Sequence, residues 1–157
     1  RIYGCHSDAT FGCTDRLNKL LQAEQEFGLE IRETYLTFAS KVAEARENVR
    51  IFFARCRTQN KKIAAYGAAA KGNTLLNYCG IDNTDLVAVF DGALAKQGRL
   101  MPGSHVPIMS PDKISNVDPN VLVILPWNLK REIKELLREE LKYKGDIVIL
   151  MPEPIVI

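Results

Sequence analysis

The residues best able to do chemistry lie in Gly67-Ala68-Ala69-Ala70-Lys71-Gly72-Asn73-Thr74, a small-residue turn between the apolar run Ile63–Tyr66 and a helix-forming segment. Strand, tight loop and helix in that order present backbone N–H groups to an anion. The helix start adds roughly half a positive charge, and the Lys71 ammonium strengthens the same preference. Asn73 and Thr74 supply neutral donors. About twenty residues on, Leu86–Phe90 ends in Asp91, where dinucleotide-binding folds set an acid against a ribose. A third loop, Pro126-Trp127-Asn128, follows another apolar run and offers a flat ring and an amide. Gln97 and Arg99 stand in the loop after Asp91.

Each feature also has a plainer reading. Gly67 and Gly72 are also what a tight strand-to-helix turn requires. Asp91 precedes Gly92, a common turn pair. Trp127 is as well suited to a core as to stacking. Gly67 and Gly72 have the spacing of a nucleotide-triphosphate loop, but Asn73 stands where its Lys must be, which excludes that motif. A nicotinamide dinucleotide site fits poorly, because Ala69 puts a methyl where the backbone must approach a pyrophosphate. There is no adjacent nucleophile–base pair, no paired carboxylates and no cluster with metal-ligand spacing, so the expectation is a binding site without catalytic residues or a metal of its own.

These loops need a parallel sheet whose strands end on one side. From Lys62 onward, short apolar runs alternate with helical patterns, which predicts an α/β, Rossmann-like, mostly parallel sheet flanked by helices. Strands are expected at Lys62–Tyr66, Leu86–Phe90, Val106–Met109, Val121–Leu125 and Ile147–Leu150. Helices are expected at Lys71–Cys79, after the Ser110-Pro111 start signal to about Asn116, and over Leu129–Tyr143 with Gly145 as its stop. The Gly/Pro-rich stretch Gly98–Pro107 reads as irregular, and the tail from Pro152 as extended. Before Lys62 the pattern is a helical extension or linker, residues 1–60, joined to a Rossmann-like domain, residues 61–157, with the boundary at Thr58–Lys61. Thr14 or Asp15 caps a helix to Phe27 that Gly28 stops, and a longer helix covers Arg32–Arg57. Arg1–Gly4 reads as a short strand.

The 157 residues are 46% apolar and 25% charged with a formal charge of +2, ordinary values that give no argument for a nucleic-acid surface. No apolar run reaches the roughly 18 residues that span a bilayer. The four cysteines, Cys5, Cys13, Cys56 and Cys79, are scattered, so reduced thiols and a cytoplasmic location are expected. Opening on Arg1-Ile-Tyr without Met, the chain reads as a part of something longer.

Tyr66-Gly-Ala-Ala-Ala-Lys-Gly-Asn-Thr-Leu-Leu-Asn-Tyr-Cys-Gly-Ile81 resembles the signature of the C-terminal domain of S-adenosylmethionine-dependent sugar C-methyltransferases. The likeness continues through Lys96-Gln-Gly-Arg99, Pro102-Gly-Ser-His105, Pro126-Trp-Asn128 and Pro152-Glu-Pro154. It departs at Ala69, where many relatives carry Pro. The resemblance implies a domain that holds a nucleotide-diphosphate keto-deoxysugar while an upstream methyltransferase domain acts on it. Zinc, S-adenosylmethionine and the base that forms the enolate are then expected upstream, with no cofactor on these residues. Gly67, Ala68, Lys71, Gly72, Asn73, Thr74, Asp91, Gln97, Arg99, Trp127 and Asn128 are the expected substrate contacts. A homodimer is a further expectation. Two alternatives stand beside this one: an independent nicotinamide- or nucleotide-binding domain, and a structural or dimerisation domain.

Overall fold

Thr14 opens the first helix as the spacing predicts. In the computed structural model, which describes residues 4–12 and 14–157, its hydroxyl accepts from the Leu17 N–H at the head of α1, Asp15–Phe27. The strand expected at Arg1–Gly4 falls almost wholly outside the described residues. Gly28 ends α1 in the left-handed region (φ 78°), its N–H returning to Gln25 and Glu24 carbonyls. No residue of α1 is buried, and its apolar positions Leu17, Leu20, Leu21 and Phe27 are exposed. The second helix, α2, covers Arg32–Thr58. Its apolar stripe changes character along its length: Tyr35, Leu36 and Phe38 are exposed, whereas Val49, Phe53 and Cys56 are buried. The chain divides into two compact units, Arg1–Lys41 and Val42–Ile157.

The second unit is built on a six-stranded sheet. In chain order its strands are β1 Ile63–Tyr66, β2 Val89–Phe90, β3 Ile108–Met109, β4 Val121–Ile124, β5 Asp146–Ile149 and β6 Ile155–Val156. In space they run β3-β2-β1-β4-β5-β6, all pairs parallel except β5 with β6. The connections reverse direction between β1 and β4, which makes the crevice beyond their carboxyl ends the place where such a sheet receives ligands. Strand alternation separates two apolar cores. Ile63, Ala65, Val89, Val121, Val123 and Val148 face Val49, Phe53 and Cys56 of α2 and Leu76 and Cys79 of α3, Ala70–Cys79. Ala64, Phe90, Leu122, Ile124, Ile147 and Ile149 face Ile114 of α4, Ile114–Val117, and Ile133 of α5, Lys130–Glu135. Helices on both faces explain why these strands are apolar throughout. Cys56 and Cys79 are core residues whose thiols burial pushes up in pKa, against the pull of nearby cations. Among the described residues no helix is long and apolar enough to cross a membrane.

Four local expectations change. The second regular strand is only two residues long, Val89–Phe90, although the chain reaches the sheet directly after a turn at Asp82–Leu86, with Val87 N–H donating to Ile63 O at 2.9 Å. Gly98–Pro107 is not irregular: Met101 N–H donates to Val106 O (2.8 Å) and Ile108 N–H to Arg99 O (2.8 Å), closing a hairpin with an antiparallel bridge at Leu100 and Pro107. The hairpin runs on into β3, which starts at Ile108, while Pro107 O already accepts from Val89 N–H at 2.9 Å. Pro111 begins a short 3-10 turn, Pro111–Lys113, without a side-chain cap from Ser110. The helix expected to reach Tyr143 leaves α-geometry at Leu136 and ends at Glu140 in a π-turn. Gly145 is therefore not its stop. Tyr143 is 7% exposed and its hydroxyl donates to Pro119 O at 3.1 Å, so the chain has to leave the helix to insert that ring into the core. Replacing Tyr143 by Phe is expected to cost about 1–2 kcal/mol in urea unfolding, the value of a buried hydrogen bond whose acceptor is left behind. The Pro-rich tail turns back to form β6.

Candidate functional site

The loop that follows β1 takes its shape from side chains far along the chain. Gly67 has φ 88°, and a Cβ there would lie 2.6 Å from Cδ of Pro126; at Gly72 a Cβ would lie 2.5 Å from that of Leu125. Both glycines are thus where the loop and the first turn of α3 press on the end of β4, and their role is close packing. Gly67 N–H donates to Phe90 O at 2.7 Å. Asp91, 9% exposed, does the rest: Oδ2 accepts from Ala68 N–H (2.7 Å) and Lys96 Nζ (3.0 Å), and Oδ1 accepts from Ala93 N–H (2.8 Å). Lys96 Nζ also donates to Ala68 O at 2.9 Å, so both polar groups of Ala68 are held. Burial would raise the Asp91 pKa, but the N–H of Ala93, the Lys96 ammonium and the N–H of Ala68 together hold it below the ordinary carboxylate range.

Ala68 N–H, an expected anion donor, is therefore engaged by Asp91. Asn73 N–H closes the first helical bond to Ala69 O at 2.9 Å. Among the described residues the N–H groups of Ala70, Lys71 and Gly72 have no protein acceptor, and Ala69 offers no side-chain cap. Those three donors are what the start of α3 has to offer an anion.

Two groups of expected residues gather on opposite flanks of this helix start. On the β4 flank, Lys71 Nζ donates to Asn128 Oδ1 at 2.6 Å and lies 5.1 Å from the centre of the Trp127 ring. Trp127 is half-buried at the start of a 3-10 turn after Pro126, while Lys71 and Asn128 are exposed. On the β2–β3 flank, Ala68, Ala69, Ala70 and Asn73 line a cavity of about 360 Å³ with Lys96, Arg99 and the apolar side chains of the hairpin. Thr74 joins neither group, since its hydroxyl donates to Ala70 O at 3.2 Å within the helix. Gln97 is tied behind the loop, Nε2 to Asp91 O at 2.9 Å. Lys96, Met101 and Pro102 are lining or anchoring residues that the expected contact set lacks. Lys96 and Pro102 did stand in the stretches that carry the family resemblance, Lys96-Gln-Gly-Arg99 and Pro102-Gly-Ser-His105. Among the described residues no three His, Cys, Asp or Glu side chains converge.

A family model described as the C-methyltransferase C-terminal domain matches residues 1–152. The chain is 32% identical over 139 residues to the C-methyltransferase NovU of Streptomyces niveus, covering 88% of this chain and 33% of that protein. It thus spans about a third of the length of that curated relative. Among solved structures it is similar to the UDP-D-quinovosamine 4-dehydrogenase of Vibrio fischeri, at 18% identity and a TM-score of 0.44, over 59% of this chain and 79% of that one. With nearly the whole sequence matched, the chain belongs to the family of C-methyltransferase C-terminal domains.

Proposed function

We propose that the unit Val42–Ile157 holds the diphosphate of a nucleotide-linked keto-deoxysugar while another part of a C-methyltransferase performs the methyl transfer. The observation that carries this reading is the Lys71 ammonium beside Trp127 and Asn128, next to three unpaired N–H groups at the start of α3. A fixed cation and a helix N-terminus at a topological switch point suit a diphosphate, whose negative charge neither group alone would neutralise. Asp91 is spent on the loop, which leaves the ribose contact of a dinucleotide site without its usual acid. The chain's own residues bind and orient in this scheme, and none removes a proton or carries the methyl group.

Titration of the chain with a deoxythymidine-diphosphate sugar and with NAD tests the reading: the sugar nucleotide is expected to bind more tightly, and tighter NAD binding overturns it. Replacing Lys71 by Ala is expected to weaken the sugar nucleotide by about 1.5–3 kcal/mol, the range for hydrogen bonds to charged groups, or roughly ten- to a hundredfold in Kd. Unchanged affinity would return the unit to a purely structural role.

A further inference from the structure

Lys71 is the second residue of α3, a position where the helix itself works against a cation. The peptide dipoles already put partial positive charge at that end and disfavour more of it. The side chain is also exposed on a flexible four-carbon stem, so without a partner it would swing into solvent, away from the unpaired N–H groups of Ala70, Lys71 and Gly72. Its ammonium is nevertheless 2.6 Å from Asn128 Oδ1 and 5.1 Å from the centre of the Trp127 ring. What holds the cation therefore comes from the turn after β4 and not from α3.

The chemistry of that hold is selective. Among the described residues Lys71 takes part in no ion pair. A carboxylate in place of Asn128 would bind the ammonium more strongly, but it would also cancel the charge that a diphosphate requires. A neutral amide oxygen and the negative face of an indole fix the ammonium and leave its net charge whole. An ammonium has three N–H donors and the amide oxygen accepts from one, so donors remain for a ligand. The same finite capacity changes what is expected of the two partners. Asn128 Oδ1 and the ring face of Trp127 under the ammonium are engaged by Lys71, which removes them from the set of direct ligand contacts.

We infer that Asn128 and Trp127 are positioning residues, which hold the Lys71 ammonium beside the start of α3 and act on the diphosphate through it. Ordering a lysine on binding costs side-chain entropy, and a lysine already ordered avoids part of that cost. The inference rests on the diphosphate reading above, and the experiment separates the two. Isothermal titration with inorganic pyrophosphate is carried through a double-mutant cycle of Lys71→Ala and Asn128→Ala, both at exposed positions where the fold should survive. Asn128→Ala is expected to weaken pyrophosphate about two- to tenfold in the parent, the worth of one side chain ordered in advance, and to change nothing in the Lys71→Ala background. Trp127, the single tryptophan, gives a second readout. Lys71→Ala should alter its emission, Asn128→Ala should shift it the same way, and the double variant should shift it no further than Lys71→Ala alone. Equal loss of affinity in both backgrounds would make Asn128 a direct ligand contact and overturn the positioning role. No loss in either background, or an emission that Asn128→Ala leaves in place, overturns it as well. In those cases the diphosphate reading stands as long as Lys71→Ala itself weakens pyrophosphate. Lys71→Ala without effect on pyrophosphate overturns that reading and the inference together.

Discussion

Replacing Gly67 by Ala is expected to destabilise the protein by about 3 kcal/mol or more and to abolish the proposed nucleotide binding with it. Two costs combine at this position. A side chain at φ 88° is strained, which by itself costs of order 1–3 kcal/mol. The added methyl would also fall 2.6 Å from the Pro126 ring, and overpacking of that kind costs typically about 1–3 kcal/mol. The two faults have one relief, a shift of the loop away from β4. That shift would carry Lys71 away from Trp127 and Asn128, so binding fails even where the fold survives. Urea unfolding together with nucleotide titration checks both parts. A variant that loses less than about 1 kcal/mol would mean that the loop does not press on Pro126 as described.

Asp91→Ala has the second largest expected effect, about 3 kcal/mol in stability. Three donors lose one acceptor group: the N–H of Ala68, the N–H of Ala93 and the Lys96 ammonium. Hydrogen bonds to a charged partner are worth about 1.5–3 kcal/mol each, but their losses are not additive and Lys96 is partly exposed, so the sum is discounted. The sign of the pH dependence follows from the depressed folded pKa. Asp91 binds its proton more weakly in the folded chain than in the unfolded one, where the value is about 3.9. Its contribution is therefore fully present above that unfolded value and is lost as pH falls from there through the lower folded value. Measured against pH, the stability gap between the parent and Asp91→Asn should be constant near neutrality and close in that acid window. A gap that widened on acidification would contradict the ion-paired latch.

Much of the architecture was legible because periodicity is local. The apolar runs from Lys62 onward announced parallel strands covered on both faces, and Thr14 and Gly28 announced both ends of α1. Where the reading failed, a distant residue had intervened. The helix after Trp127 has a good amphipathic pattern to Tyr143, yet it breaks at Leu136 because the ring of Tyr143 fits the core beside Pro119 only if the helix stops short. The hairpin at Gly98–Pro107 has too few alternating residues to signal strands, and its bonds pair residues nine to ten positions apart, Ile108 N–H with Arg99 O and Gly98 N–H with Ile108 O.

The sequence by itself determined that a strand, a small-residue turn and a helix occur in that order, with a cation at Lys71 and an acid where β2 ends. The same residues also supported the family resemblance that the comparisons bear out. The tertiary structure decided what each group is free to do. Gly67 and Gly72 are small because Pro126 and Leu125 occupy their Cβ space, Asp91 and Ala68 satisfy each other, and Lys71 meets an amide 57 positions away. The physical reason is that hydrogen-bonding capacity is finite. A motif tells which donors and acceptors exist, and only the packed chain tells which remain unspent for a ligand.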